Sequence, residues 1–451
     1  MTNLKITNTL SRTKELFKPI NNKNITMYAC GPTVYDTPHV GNARSLVVFD
    51  LLFRVLKKIY GDNNVTYVRN ITDIDDKIID IAKEKNLQID QVTKNITKQF
   101  HLACKSLNCL KPTFEPKATE HVSEMIKMTE SLIKKGFAYV NEDHVYFAIS
   151  TYKNYGKLSN KNLNELKAGT RIEVSNFKKN PLDFVLWKPS ENDDPGWESP
   201  WGRGRPGWHL ECSVMSEKYL GQIFDIHGGG LDLVFPHHEN EIAQTCCNNS
   251  NEKMANYWVH NGFLNMGKEK MSKSLGNIIS INDAIEEYNG QIIRLALLSS
   301  HYKQPLDWNK NLLEQQKKTL NKWYSLYQDK NQSDKSENCL NFLLDDLNTP
   351  AYISKLHELY NEASKGDVDK KNIFNNACRL IGIFNENEKE WNKYKKKSVK
   401  ISEKSIMIKI KERIAARKKG DFALADKIRN QLEQEGVLIE DKKEKTGWKY
   451  K

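Results

Sequence analysis

The sequence predicts an α/β fold: a doubly wound parallel sheet carrying an insertion, then a helical bundle and a small C-terminal domain. Three patterns predict it. Strand-like runs at residues 25–30 and 65–68 flank a segment of helical period, giving a β-α-β unit. A further strand-like run, residues 223–226, resumes after a stretch of different character. Beyond Lys310 the apolar residues recur at helical spacing throughout.

Taken in order, Ile25, Met27, Tyr28 and Ala29 form the first run, which stops at the turn pair Gly31-Pro32. Leu46, Phe49, Leu52, Phe53, Leu56 and Ile59 then fall on one helix face. Such units build parallel sheets that bind ligands at the carboxyl ends of their strands. Residues 115–205 read as the insertion, with a helix through Val122, Met125, Ile126, Leu132 and Ile133 and a Pro/Gly/Trp-rich stretch near its end. The sheet resumes at residues 223–226, followed by His227 and the glycines Gly228, Gly229 and Gly230. From Leu312 to Leu347 the pattern is helical, and the polar stretch 386–404 marks the next boundary. Two last helices follow, at 406–419 and 422–435; Asp421 suits an N-cap, and Gly420 and Gly436 suit C-terminal caps. Phe422, Ala425, Ile428 and Leu432 form a stripe that reads as core. The expected division is 1–114 and 206–310 for the two sheet halves, 115–205 for the insertion, 311–395 for the bundle and 396–451 for the C-terminal domain.

With 451 residues, 39% of them hydrophobic and 28% charged, the chain suits a soluble, multidomain protein. No apolar run reaches the ~18 residues of a membrane span. The N-terminus has no apolar signal core, so a cytoplasmic location is expected. Net charge is +12, and from Lys393 to Lys451 there are 19 Lys/Arg against 9 Asp/Glu. That local surplus points to a nucleic-acid partner. The eight cysteines are sparse and irregularly spaced, which argues against a disulfide framework. Cys104, Cys109, Cys246, Cys247, Cys339 and Cys378 read as inert core thiols.

The pentapeptide Lys270-Met271-Ser272-Lys273-Ser274 is cationic and rich in donors, suited to a polyphosphate whose charge changes during reaction. An isolated Lys/Ser pentamer would read as a solvated loop. Here Pro38-His39-Val40-Gly41-Asn42 lies upstream, between strand and helix, where backbone N–H groups favour phosphate. Gly41 would allow close approach of a nucleotide, and His39 can donate to phosphate oxygens. Together the two elements resemble the ATP-handling motifs of class I aminoacyl-tRNA synthetases, whose catalytic domain is Rossmann-like. Asn42 stands where that class usually carries a second histidine, so it can donate a hydrogen bond but no charge.

A metal-type constellation accompanies them. His237 and Glu241 are i and i+4 on a probable helix opening at Pro236, so both project from one face, with His238 pointing elsewhere. Two cysteines, Cys30 and Cys212, would complete four ligands, and such a set of two thiolates, an imidazole and a carboxylate suits zinc rather than magnesium or calcium.

Longer matches sharpen the resemblance. Residues 28–36 (Tyr-Ala-Cys-Gly-Pro-Thr-Val-Tyr-Asp), 69–77, 207–213, 225–230 and 235–244 look like cysteinyl-tRNA synthetase, and the likeness runs from about residue 6 to the C-terminus. It implies one zinc ion on Cys30, Cys212, His237 and Glu241 that binds the substrate thiolate. It also implies a cysteine pocket lined by Thr72, Trp208 and His227. ATP, with Mg²⁺, would meet His39, Gly41, Asn42, Asp232, the backbone around Trp258 and Val259, Lys270, Ser272 and Lys273. Of these, Lys270, Lys273 and His39 would stabilise the transition state. The C-terminal region resembles an anticodon-binding domain, with Arg417, Phe422, Asp426, Asp441 and Trp448 as tRNA contacts. Stacking on Phe422 competes with its reading as core. The implied partners are tRNA(Cys), ATP and L-cysteine, acting on a monomer with no membrane. A cysteine ligase using a small amine, or a non-catalytic tRNA-binding paralogue, are the alternatives.

Overall fold

In the computed structural model the central sheet has four parallel strands: β3 (Ile25–Ala29), β4 (Val65–Arg69), β9 (Phe224–Gly230) and β10 (Ala255–Asn261), in the order β10-β9-β3-β4. The structure describes residues 3–161, 178–267, 269–270, 278–329, 337–397, 401–441 and 446–450. The central strand β3 is buried along its whole length, as a parallel sheet covered on both faces requires. Helix α1 (Val40–Tyr60) makes the crossover from β3 to β4. Its apolar face, with Val47, Leu51, Leu52 and Val55, joins the main core.

Strand β9 runs farther than the sequence pattern suggests, through His227 and all three glycines. A Cβ on Gly228 would lie 2.1 Å from the Phe49 ring, so the missing side chain admits α1 against the strand. The N-terminal hairpin of β1 (Lys5–Asn8) and β2 (Thr13–Leu16) packs beside β10, with Trp258 N–H donating to Asn8 Oδ1 at 3.0 Å. Helices α2 (Asp76–Lys85) and α3 (Ile89–Ser106) follow β4.

Residues 115–205 include α4 (Val122–Lys134) and an antiparallel sheet of β5 (Ala138–Asn141), β6 (His144–Phe147), β7 (Phe184–Pro189) and β8 (Gly204–Pro206). Two helices then frame β9: α5 (Trp208–Leu220) and α6 (Glu239–Asn249). After β10, strand β11 (Leu264–Met266) pairs antiparallel with β12 (Glu269–Lys270) and parallel with β13 (Leu306–Asp307), with α7 (Ile281–Glu287) and α8 (Gly290–Leu298) between them.

The C-terminal third departs from the sequence reading in two places. The polar stretch 386–404 is not simply a boundary. It contains α13 (Glu388–Lys397), whose buried Trp391 stacks on Tyr324 with ring centroids 4.4 Å apart. Trp391 and the neighbouring Tyr394 thus anchor a helix whose other residues are polar. The bundle below it comprises α9 (Lys310–Trp323), α10 (Glu337–Leu344), α11 (Thr349–Ala363) and α12 (Val368–Leu380). Nor is the chain helical to its end. After α14 (Glu403–Lys418) and α15 (Phe422–Gln434), a hairpin of β14 (Val437–Asp441) and β15 (Thr446–Tyr450) closes the fold. Val437 follows Gly436 at φ +89°, and the apolar run it begins pairs with β15 rather than extending the helix.

Candidate active site

The carboxyl ends of β3, β4, β9 and β10 open onto one cavity of about 450 Å³. Its walls include Cys30, His39, Gly41, Asn42, Thr72, Trp208, Cys212, Asp232 and His237, residues drawn from five separate segments.

Cys30 directly follows β3, and its N–H donates to Gly228 O at 3.1 Å, fixing the turn against β9. A Cβ on Gly31 would sit 1.7 Å from Asn70 O, so only glycine lets this turn touch the loop after β4. Asn70 then ties the two loops, accepting from Gly31 N at 2.8 Å and donating to Thr72 Oγ1 at 3.1 Å. Cys212 lies in the second turn of α5, buried, with its sulfur 3.7 Å from Cys30 Sγ. His237 precedes α6 and Glu241 lies within it; His237 Nε2 is 3.0 Å from Glu241 Oε1.

Ligand atoms of Cys30, Cys212, His237 and Glu241 all lie within 4.8 Å of one another. In a tetrahedral zinc site with Zn–S of 2.3 Å, two sulfurs stand about 3.8 Å apart and a sulfur and an oxygen about 3.5 Å. The observed separations are 3.7 Å for the two sulfurs and 3.5 Å for Cys30 Sγ to Glu241 Oε1. The donor set and its spacing therefore fit zinc. The two thiols shift in opposite directions: the hydrogen bond from Cys30 holds the Cys212 thiol down at about 6 despite burial, with His237 adding to the effect. Burial drives the Cys30 thiol well above its usual range, and Cys212 adds to this. Burial opposes ionisation of Glu241, but the His227 and His237 imidazoles outweigh it and hold the carboxyl well below its usual range.

His238 corrects the sequence reading. It does not point elsewhere: its Nε2 lies 3.3 Å from Cys30 Sγ, and Cys30, His227, His238 and Glu241 form a second possible ligand set. The reason is local. Residues 234–238 are not a regular helical turn, since Phe235 is extended (φ −139°, ψ 133°), and regular helix begins only at Glu239. His238 Nδ1 in turn meets His260 Nε2 at 2.8 Å, and His260 Nδ1 meets Thr9 Oγ1 at 2.8 Å. Burial keeps His238 well below the ordinary histidine range and His260 at about 3, so both rings are neutral near pH 7.

Trp208, 38% exposed, stacks on His237 with centroids 4.3 Å apart and forms a wall of the cavity. Thr72 is buried beside it. His227 lies beneath the cluster, its Nε2 2.7 Å from Glu241 Oε2 and its ring stacked on Trp258 at 4.4 Å. Trp258 and Val259 thus sit inside β10, while Asn261, Gly262, Phe263 and Leu264 face the cavity.

His39 and Asn42 cap α1 reciprocally. Asn42 N–H donates to His39 Nδ1 at 3.3 Å, and His39 N–H donates to Asn42 Oδ1 at 3.0 Å. The Asn42 side chain thus orders the helix start itself. Lys270 ends β12, opposite Asn265, while Ser272 and Lys273 lie outside the described residues.

In the tail, Arg417 and Asp441 bond each other at 3.1 Å, and Arg413 grips the same carboxylate at 2.9 and 2.8 Å. Phe422 is not core: it is 63% exposed at the start of α15, while Ala425, Ile428 and Leu432 are buried. Asp426 is exposed on the same helix. Trp448 is half-buried, packed against the tail's apolar cluster and edge-on to Tyr450.

Residues 16–318 match the family model described as the tRNA synthetases class I (C) catalytic domain. Sheet, cavity and match together define a class I aminoacyl-tRNA synthetase. The likeness extends well past that domain. A cysteine–tRNA ligase of Pelagibacter ubique is 57% identical over 447 residues, 99% of each chain. Another, from Rickettsia prowazekii, is 47% identical over 450 residues, 97% of each. The chain belongs to the cysteine–tRNA ligase family. Among solved structures, methionyl-tRNA synthetase of Mycobacterium tuberculosis in complex with methionyl-adenylate superimposes with a TM-score of 0.58 at 14% identity. The match covers 80% of this chain and 89% of that one, and reflects the shared fold.

Proposed function

We propose that this enzyme joins L-cysteine to tRNA(Cys) in two steps in the cavity described, with Cys30, Cys212, His237 and Glu241 holding one zinc ion. The observation that carries the zinc reading is the near-tetrahedral spacing of those four donors at the cavity floor. Bound there, zinc supplies a soft Lewis acid that takes a thiolate in preference to a hydroxyl, separating cysteine from serine. Shape alone separates such near-isosteres by only a few kcal/mol.

The chain's own groups supply the rest. Trp208, Thr72 and His227 shape and support the cysteine pocket, His227 by holding Glu241 from below. In the first step the cysteine carboxylate attacks the α-phosphorus of ATP, and pyrophosphate leaves as its Mg²⁺ complex. The first turn of α1, opened by His39 and Asn42, turns the positive end of the helix dipole toward the phosphates, and Gly41 keeps that approach clear. Asp232 and the backbone from Trp258 onward lie on the nucleoside side. Lys270, Ser272 and Lys273 neutralise charge gathering on the departing pyrophosphate. In the second step a hydroxyl of the terminal adenosine attacks the acyl carbon and AMP leaves.

Residues 396–451 bind the anticodon arm, with Arg417, Phe422, Asp426, Asp441 and Trp448 as contacts, and the domains follow the five-part division except that α13 carries the bundle on to Lys397. The enzyme acts as a monomer in the cytoplasm. Among the described residues, no helix is long and apolar enough to cross a membrane.

Zinc-loaded protein should catalyse cysteine-dependent, serine-independent exchange of pyrophosphate into ATP and then charge tRNA(Cys). Absence of exchange would refute the activation step. Exchange without charging, but with transfer to a small amine, would move the assignment to a small-molecule ligase.

A further inference from the structure

Arg44, one turn into α1, is 1% exposed, and no carboxylate among the described residues pairs with it. Its guanidinium donates instead to three backbone carbonyls: Phe263 O, Gln304 O, and His301 O at 3.3 Å. A buried cation is costly, and satisfying it with neutral carbonyls alone is an unusual use of that cost. Burial lowers Arg44 only to about 10, so the charge is retained at neutral pH.

All three carbonyls belong to the segments that carry the Lys270 hairpin. Phe263 leads directly into β11, whose partner strand β12 ends at Lys270. His301 and Gln304 lead into β13, the other partner of β11. The junction is tight: Gly262 N–H donates to Tyr302 O at 2.8 Å, and a Cβ on Gly262 would lie 2.6 Å from Lys303 O. The far side of the lysine-bearing segment returns to the same helix. Val40 N–H donates to Ile279 O at 3.0 Å, and Ile281 N–H donates to Pro38 O at 2.8 Å. Both ends of residues 264–281 are therefore tied to the start of α1, one by Arg44 and the other by the bridge of His39 to Ser280.

We propose that Arg44 is a positioning residue for adenylate formation, fixing the Lys270 hairpin in register with the His39–Asn42 phosphate site. The inference rests on reading His39 and Lys270 as ATP-handling groups. A displacement of about 1 Å between charge and reacting phosphate can cost roughly 100-fold in rate.

The test is cysteine-dependent pyrophosphate exchange by full-length, zinc-loaded Arg44→Met and Arg44→Lys, alone and combined with Lys270→Met. Arg44→Met should lower kcat roughly 100-fold. Zinc content should stay at one per chain, and the KM for cysteine should not change. Arg44→Lys, which keeps the charge and one donor group, should recover part of the loss. In the Lys270→Met background, adding Arg44→Met should cost far less than it does alone. If the two losses instead multiply to within about twofold, the residues act independently and the proposal fails. It also fails if kcat falls only in step with zinc or cysteine binding, which would mark Arg44 as a general structural support. Should Arg44→Met not fold, Gly262→Ala perturbs the same junction and should give the same kcat-selective loss and the same coupling; unchanged kcat there overturns the proposal. Full activity in Lys270→Met alone would instead refute the reading of the lysine loop.

Discussion

Cys212, in α5, meets the loops after β3 and β4, its sulfur 3.8 Å from Asn70 Oδ1 and 3.7 Å from Cys30 Sγ. A serine there keeps the volume but loses the soft donor. Cys212→Ser should therefore drop zinc from one per chain toward none, read by metal analysis, and abolish cysteine activation with it. Lys273→Ala should lower pyrophosphate exchange by roughly 100- to 1,000-fold, the range for losing one transition-state charge contact, while zinc stays bound. Retained exchange in that variant would mean the loop is misread. Asn42 sits between these cases. Its side chain caps His39, so Asn42→Ala should cost about 1 kcal/mol of stability in urea melts, whatever it does to catalysis.

Single elements hold through a few contacts. Helix α13 is polar apart from Trp391 and Tyr394, so Trp391→Ala should destabilise the bundle by about 3–5 kcal/mol in denaturant unfolding. In the tail, the paired arginines Arg413 and Arg417 draw Asp441 down to about 2, the hydrogen bond from Arg413 being the largest cause. A depressed carboxyl stabilises the fold fully above its unfolded value of 3.8 and loses that contribution as pH falls toward about 2. The difference in urea midpoint between the native chain and Asp441→Asn should thus be constant above that window and shrink within it. A difference that persists at the acid end would refute the ion pair as its source.

Across the whole molecule, the tail stands apart. Ile406, Ile410, Ile428, Leu432 and Val437 form their own cluster, separate from the main core that unites the sheet with the bundle. Removing the tail should therefore leave the chemistry in place. Ending the chain after residue 397 should leave cysteine activation and zinc content intact while weakening tRNA charging by more than about tenfold, a loss above 1.4 kcal/mol of binding. Equal loss of both activities would show that the tail supports the catalytic domain directly.

Much of this was readable in advance because it is local. Alternation of apolar runs with helical spacing marked β3, α1 and β4 within a residue or two at most ends, although α1 starts six residues earlier than Leu46. Asp421 caps α15 by accepting from Leu424 N at 2.9 Å, as a short side chain before an apolar stripe suggests. The His237–Glu241 pairing follows from spacing alone. His238 and Phe422 were misjudged for one reason: regular helical geometry was assumed where a distorted turn, or a helix start facing solvent, decides direction.

What the sequence determined by itself is the set of chemical groups and the local periods that place them on strands and helices. It could not determine which distant groups converge. Cys30 and Cys212 are 182 residues apart, yet parallel pairing of β3 with β9 and the seating of α5 bring their sulfurs to 3.7 Å. The same holds for Arg44, an ordinary helix cation until β11 and β13 fold over it and its guanidinium meets, among the described residues, only backbone carbonyls. Local preference acts over a few residues, whereas burial and hydrogen-bond satisfaction are settled only when the chain closes on itself.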